Sequence, residues 1–146
     1  MTPGSSDLIF AALRGWVTPS SRVLILDPMY AEYAHVLERV IGARVDRLTL
    51  SRANGYQVEP ERLADSLSQG YDWVVAVNPN SPTGRHLPRR QFEHIFAEAP
   101  ETTRFWIDET YDGRQGSRVE QSVNIRPQQQ TLRPRNGVQV ILCRRS

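Results

Sequence analysis

Three short apolar runs dominate this chain, and each is followed at once by polar residues or proline. They are RVLILD at 22–27, WVVAVN at 73–78 and RFWIDE at 104–109. An uninterrupted apolar run of this length, bounded by turn residues, is typical of a strand buried on both faces of a sheet. Such strands need helices packed on both sides, so the runs predict an α/β fold with a mostly parallel sheet.

The segments between the runs supply the expected helices. Apolar residues recur at helical spacing, or proline marks a helix start, at 6–16, 30–41, 60–67 and from Pro88 to Pro100. Gly42 is suited to end the second helix, because glycine readily adopts the left-handed backbone of a C-cap. A weaker alternating run at 43–50 and the apolar VQVILC at 138–143 predict two further strands.

Polar and aromatic side chains collect where the predicted strands end. Asp27 to Tyr30 follow the first run, Asn78 to Gly84 the second, and Asp108 to Tyr111 the third. In open parallel sheets, ligands bind beyond the carboxyl ends of the strands. We therefore expect these three segments to share one site.

Four ordered segments carry a resemblance to a known family. They are GSS at 4–6, DPMYAEY at 27–33, NPNSPTG at 78–84 and DETY at 108–111. In this order they resemble the fold-type-I pyridoxal 5'-phosphate (PLP) enzymes of the class I/II aminotransferases, nearest the histidinol-phosphate aminotransferase and threonine-phosphate decarboxylase branch. The resemblance covers about residues 4–111 and resumes faintly at 138–146. It implies part of the large PLP-binding domain, a three-layer α/β structure.

The resemblance implies PLP as the cofactor and assigns roles to two of the strand ends. A helix N-terminus suits a phosphate group, so Gly4, Ser5 and Ser6 would hold the cofactor's phosphate. Tyr30 matches the aromatic residue that stacks on the pyridine ring. Asp108 matches the aspartate that keeps the ring nitrogen protonated, which makes the ring an electron sink.

The phenolic oxygen of the cofactor would be contacted by the other segments. Tyr111 matches the tyrosine that hydrogen-bonds this oxygen. Ser81 stands where the family usually has asparagine, and a serine hydroxyl has a shorter reach, so Asn78 or Asn80 could share that contact. The resemblance also implies a cis bond before Pro82.

The chain has no lysine, because all 18 of its basic residues are arginine. PLP enzymes of this family need a lysine that forms a Schiff base with the cofactor. VQVILC and the following RRS resemble the strand and segment that lead to that lysine. We therefore expect a truncated, catalytically incomplete fragment. Its parts would be a partial large domain at 1–111, an atypical polar segment at 112–137, frameshifted or disordered, and a strand remnant at 138–146.

Composition narrows the remaining possibilities. The net charge of +2 and the scattered arginines give little support for nucleic-acid binding. No apolar run approaches the ~18–20 residues of a membrane span, and no basic region precedes an apolar N-terminal segment. One cysteine rules out a disulfide framework within the chain and a multi-cysteine zinc site, and we expect no metal site. These observations predict a cytoplasmic protein. The resemblance implies a small amino-acid-type substrate, and a homodimer for the complete parent.

Two other functions remain open from the sequence. One is a PLP-dependent decarboxylase of the same fold, which these residues do not separate from an aminotransferase. The other is a non-catalytic phosphate-binding module with a basic tail.

Overall fold

The computed structural model describes residues 5–109, 128–132 and 138–144. Within these ranges six strands form one sheet: β1 Arg22–Asp27, β2 Arg44–Thr49, β3 Trp73–Val77, β4 Arg104–Asp108, β5 Gln128–Leu132 and β6 Gln139–Arg144. Their spatial order is β2-β1-β3-β4-β6-β5. The first five in that order are parallel to their neighbours, and β5 is antiparallel to β6. The predicted α/β fold with a largely parallel sheet is confirmed.

Helices connect the parallel strands from β1 to β4, as parallel pairing requires. These helices are α2 Ala31–His35, α3 Pro60–Leu67 and α4 Arg89–Glu98, and the helix α1 Ser5–Trp16 precedes β1. The α2 helix continues directly into a π-helical segment, Val36–Ile41, and Gly42 ends it with a left-handed φ of 78°. A short 3₁₀ turn at Arg52–Asn54 follows β2.

The core lies around the three apolar runs, which form the adjacent strands β1, β3 and β4. All five residues of β3 are buried, and the four middle residues of β1 are buried too. The strand β2 lies at the edge of the sheet and exposes Arg44, Asp46 and Arg47. Charged residues on an edge strand discourage pairing with another chain.

The second helix differs in detail from the sequence expectation. Helical spacing over 30–41 predicts an apolar face of Tyr30, Ala34, Leu37 and Ile41, whereas the structure buries Tyr33, Val36 and Leu37. Tyr30 precedes the first helical residue and is 41% exposed. The change to π-helical hydrogen bonding after His35 also adds residues per turn and rotates the buried face.

The antiparallel strand β5 comes from the polar segment that shows no clean sequence period. Its backbone pairs with β6 from Gln128 opposite Arg144 to Leu132 opposite Val140. The predicted strand at 138–143 is confirmed as β6. The predicted boundary between 111 and 112 lies outside the described residues. No helix in the described part of the chain is long and apolar enough to cross a membrane.

Candidate functional site

The candidate site lies at the carboxyl ends of β1, β3 and β4, and Asp108 is its buried acidic group. Asp108 is the last residue of β4 and is only 6% exposed. Its backbone carbonyl accepts a hydrogen bond from the Asn78 N–H at 2.8 Å, which joins the ends of β3 and β4. Its carboxylate Oδ2 accepts a hydrogen bond from the Tyr33 hydroxyl at 2.7 Å. A carboxylate at this depth is stabilised only when such donors reach it.

Tyr33 is a site residue that the sequence analysis did not single out. Its ring is 1% exposed, and its hydroxyl accepts a hydrogen bond from Trp106 Nε1 at 3.3 Å. Burial raises the pKa of Tyr33, and the charge and hydrogen bond of Asp108 raise it further. The phenol therefore keeps its proton. The available signal was its position one helical turn after Tyr30.

Tyr30 presents an exposed aromatic ring beside this buried pair. Its ring meets that of Tyr33 edge-to-face, with centroids 6.4 Å apart and an interplanar angle of 74°. The predicted stacking residue and the predicted acidic residue are therefore connected through Tyr33. The ring of Tyr30 is accessible to a ligand at the same edge of the sheet.

Two ring contacts fix the direction of α1. Phe10 packs edge-to-face on Tyr33, with centroids 5.7 Å apart. Six residues later, Trp16 packs on Trp73 at the amino end of β3, with centroids 6.0 Å apart. The start of α1 therefore points toward the carboxyl edge of the sheet. Ser5 and Ser6 are its first two residues, and Gly4 lies outside the described residues.

Asn78 holds the loop that follows β3. Its Oδ1 accepts a hydrogen bond from the Leu87 N–H at 2.8 Å, and its Nδ2 donates to the Leu87 carbonyl at 3.1 Å. This pair of bonds mimics a strand ladder and closes residues 78–87 into a compact loop. The polar side chain after the apolar run thus satisfies backbone groups that would otherwise be buried without partners.

Asn80 connects this loop to the segment after β1. Its Nδ2 donates to the Pro28 carbonyl at 2.9 Å and to Thr83 Oγ1 at 3.0 Å. Because a carbonyl can only accept, the contact with Pro28 fixes the orientation of the amide. The Oδ1 atom is buried, and no donor among the described residues reaches it.

The prolines of the two loops follow cis peptide bonds. These bonds are Asp27–Pro28, Asn78–Pro79 and Ser81–Pro82. The expected cis bond before Pro82 is confirmed. Ser81 itself is exposed at the loop surface.

The structure thus gathers four predicted site residues at one edge of the sheet: Tyr30, Asn78, Asn80 and Asp108. Tyr111 lies outside the described residues. Cys143 is the register partner of Asp108 on β6 and is fully buried. Burial, and then the charge of Asp108, raise the pKa of the Cys143 thiol to about 12.

A buried carboxylate and an accessible aromatic ring thus lie at the carboxyl edge of a parallel sheet, the edge at which open α/β sheets bind ligands. A model of the family "Aminotransferase class I and II" matches residues 1–128. The chain belongs to that family.

Individual relatives agree with the predicted branch. Histidinol-phosphate aminotransferase 2 of Caulobacter vibrioides is 27% identical over 111 residues, covering 76% of this chain and 29% of that protein. Threonine-phosphate decarboxylase of Sinorhizobium sp is 37% identical over 86 residues, covering 58% of this chain and 21% of that protein. The chain therefore spans less than a third of the length of these relatives.

A solved structure shows the same fold. Cystalysin from Treponema denticola, whose structure contains a pyridoxal 5'-phosphate cofactor, superimposes with a TM-score of 0.61. The match has 19% sequence identity and covers 73% of this chain and 28% of cystalysin.

Proposed function

We propose that this chain forms the ring-binding wall of a PLP-dependent aminotransferase. The parental reaction is the transfer of an amino group between an amino acid or amine and a 2-oxo acid. The observation that carries the proposal is the buried Asp108 carboxylate at the end of a central strand. Membership of the aminotransferase family supports PLP as the group that this carboxylate meets.

The residues at the strand ends fit the cofactor in chemistry. Asp108 is assigned to the protonated ring nitrogen, since a buried carboxylate is stabilised by a cationic partner. The accessible ring of Tyr30 is assigned to the face of the pyridine. Bound PLP would supply an electron sink for the carbanion formed at the substrate's reacting carbon.

The contact with the phenolic oxygen is assigned by counting hydrogen-bond donors. Both N–H groups of the Asn80 amide are used, one by Pro28 and one by Thr83. The Asn78 amide uses one N–H for Leu87, and no hydrogen bond from the other N–H is seen among residues 5–109, 128–132 and 138–144. We therefore assign this oxygen to Asn78 and the exposed Ser81 hydroxyl, together with Tyr111, and keep Asn80 as the residue that positions the loop.

The phosphate is assigned to the start of α1, at Gly4, Ser5 and Ser6. The direction of α1 supports this assignment, because its N-terminus points to the same edge as Asp108. Backbone N–H groups and the positive end of the helix dipole favour an anion there.

In this proposal these 146 residues bind and orient the cofactor, but they supply no side-chain amine for the covalent link. The chain contains no lysine, so proton transfer at the substrate's reacting carbon needs a group from outside it. We infer that the chain alone is catalytically inactive. In this proposal residues 1–111 are the partial large domain, 112–137 an atypical segment and 138–146 the strand before the lysine segment.

Membership of the family also supports proposals for the substrate, the oligomeric state and the location of the parent enzyme. We propose a small amino-acid-type substrate, a homodimer and a cytoplasmic location. A decarboxylase of the same fold is the second candidate. The 37% identity to threonine-phosphate decarboxylase over 86 residues supports this candidate.

Binding of pyridoxamine 5'-phosphate tests the proposal, because this form of the cofactor needs no lysine. The ligand is titrated into the 146-residue chain while tryptophan fluorescence is followed. We expect Asp108→Ala to weaken binding by about tenfold or more, as for the loss of a charged hydrogen bond. Asp65→Ala, at an exposed position of α3, is the matched control. Equal affinity in Asp108→Ala would instead favour the phosphate-binding module.

A further inference from the structure

The hydroxyl group of Tyr33 connects two other side chains of the site, those of Trp106 and Asp108. That hydroxyl accepts from Trp106 Nε1 at 3.3 Å and donates to Asp108 Oδ2 at 2.7 Å. We propose that Tyr33 is a positioning residue, whose hydroxyl fixes the Asp108 carboxylate in the orientation that receives the ring nitrogen of the cofactor. This inference rests on the proposed function.

The direction of the network is set by chemistry. An indole N–H can only donate, so it occupies an acceptor position on the Tyr33 oxygen. The phenol proton is then directed to the carboxylate, which can only accept when ionised. Trp106 and Asp108 are two residues apart on β4, so their side chains lie on the same face and reach one hydroxyl. Burial raises the pKa of Tyr33, and the phenol therefore stays a donor.

The network also restrains the carboxylate in space. The terminal torsion of an aspartate is broad, so its plane turns easily unless a fixed donor holds one oxygen. The 2.7 Å contact is as short as a hydrogen bond to a charged acceptor. Tyr33 itself is immobilised by burial and by the edge-to-face contact with Phe10. A held carboxylate presents its second oxygen in one direction.

A tyrosine that only fills the core would act differently. Loss of its hydroxyl would then loosen the packing around the site and weaken the binding of all ligands equally. A positioning role affects only the interaction with the ring nitrogen. The two roles are separated by a pair of ligands that differ in that one atom.

The experiment compares pyridoxamine 5'-phosphate with its 1-deaza analogue, in which a C–H group replaces the ring nitrogen. The dissociation constants of both are measured for the 146-residue chain and for Tyr33→Phe. We expect Tyr33→Phe to weaken pyridoxamine 5'-phosphate by about tenfold and the analogue by less than about twofold. Dividing the dissociation constant of the analogue by that of pyridoxamine 5'-phosphate gives a ratio that should therefore fall at least about fivefold in Tyr33→Phe.

The matched control is Tyr71→Phe. Tyr71 also donates its hydroxyl to a carboxylate, Asp46 Oδ2 at 2.9 Å, but at the amino end of the sheet. Tyr71→Phe should leave both dissociation constants unchanged. If Tyr33→Phe does not fold, Trp106→Phe takes its place, because it removes the N–H donor that directs the phenol proton to Asp108. The same ratio should fall in that variant too.

The outcomes distinguish the two proposals. Equal weakening of both ligands, or an unchanged ratio, would overturn the positioning role and leave the proposed function standing. Failure of the unaltered chain to bind pyridoxamine 5'-phosphate would overturn the proposed function and this inference with it.

Discussion

At the residue scale, hydrogen-bond partners separate the polar side chains that hold the loops from those that can meet a ligand. Asn78 and Asn80 are both buried, and most of their hydrogen-bonding groups are used by backbone carbonyls, an N–H group or Thr83. Ser81 is exposed. Sequence alone treats all three as polar loop residues, because the difference lies in partners several residues or a whole strand away.

Replacing Asn78 with alanine should destabilise the protein without any ligand present. The Leu87 N–H and carbonyl would both lose their partner in a buried environment. We expect the free energy of unfolding to fall by about 2–3 kcal/mol, measured by urea unfolding. Ser81→Ala, in the same loop but exposed, should stay within about 0.5 kcal/mol of the unaltered chain. Equal losses in the two variants would contradict the role given to Asn78.

The buried thiol of Cys143 should make stability fall at alkaline pH. Its pKa rises from the ordinary 9.0 to about 12 in the folded protein. Below pH 9 both states hold the proton; above it the unfolded state releases the proton first. The free energy of unfolding then decreases by up to about 1.4 kcal/mol per pH unit until about pH 12.

Cys143→Ala tests this pH dependence between pH 9 and pH 10. The chain has no lysine to titrate in that window. Tyr33 and Tyr71, whose pKa values burial also raises, add to the slope as the pH nears 10. We expect the variant to be less stable at neutral pH and to lose the part of the alkaline slope that the thiol causes, which is largest near pH 9. An unchanged slope would show that the thiol proton is not the cause.

The residues of the candidate site differ in whether the sequence could predict them. Asp108 and Tyr30 were identified because each belongs to a short motif at the end of an apolar run, in a family order. Tyr33 was missed because its hydrogen-bond partner, Asp108, is 75 residues away in the sequence.

At the scale of elements, strands were easier to predict than the second helix. A short continuous apolar run is buried most favourably as a strand in a sheet that is covered on both faces. The strands β1, β3 and β4 were therefore predicted with nearly the observed bounds. A helix of twelve residues can begin one residue later or change its hydrogen-bond pattern at little cost. The apolar face of 30–41 was therefore misplaced, whereas its end at Gly42 was correct.

Replacing Gly42 and Gly15 with alanine should change the stability of the protein in opposite directions. Gly42 has a φ of 78° with open space around it, so an added Cβ meets only the backbone penalty. Gly15 lies within α1 and also has open space. We expect Gly42→Ala to destabilise by about 1 kcal/mol and Gly15→Ala to stabilise by about 0.5–1 kcal/mol. Thermal and urea unfolding measure both, and a shared sign would contradict the backbone argument.

At the scale of the whole molecule, the described sheet has two different edges. On one side β2 ends the sheet with exposed charged residues. On the other, β5 pairs antiparallel with β6 along five residues. The parallel order of the centre was predictable from apolar runs and helical connections. The pairing of β5 was not, because backbone hydrogen bonds leave no periodic signal in a glutamine-rich segment.

The absence of lysine makes a covalent prediction about the whole chain. A PLP imine that borohydride can fix requires an amine, and these 146 residues offer only the N-terminal amino group. After incubation with PLP and reduction, peptide mass spectrometry should find the phosphopyridoxyl label at Met1 and on no side chain. Adding an excess of pyridoxamine 5'-phosphate, which competes for the site, should leave this terminal labelling unchanged. A label on an internal residue that is lost in Asp108→Ala would show that another nucleophile of the site holds the aldehyde covalently. That result would overturn the noncovalent role proposed for this chain.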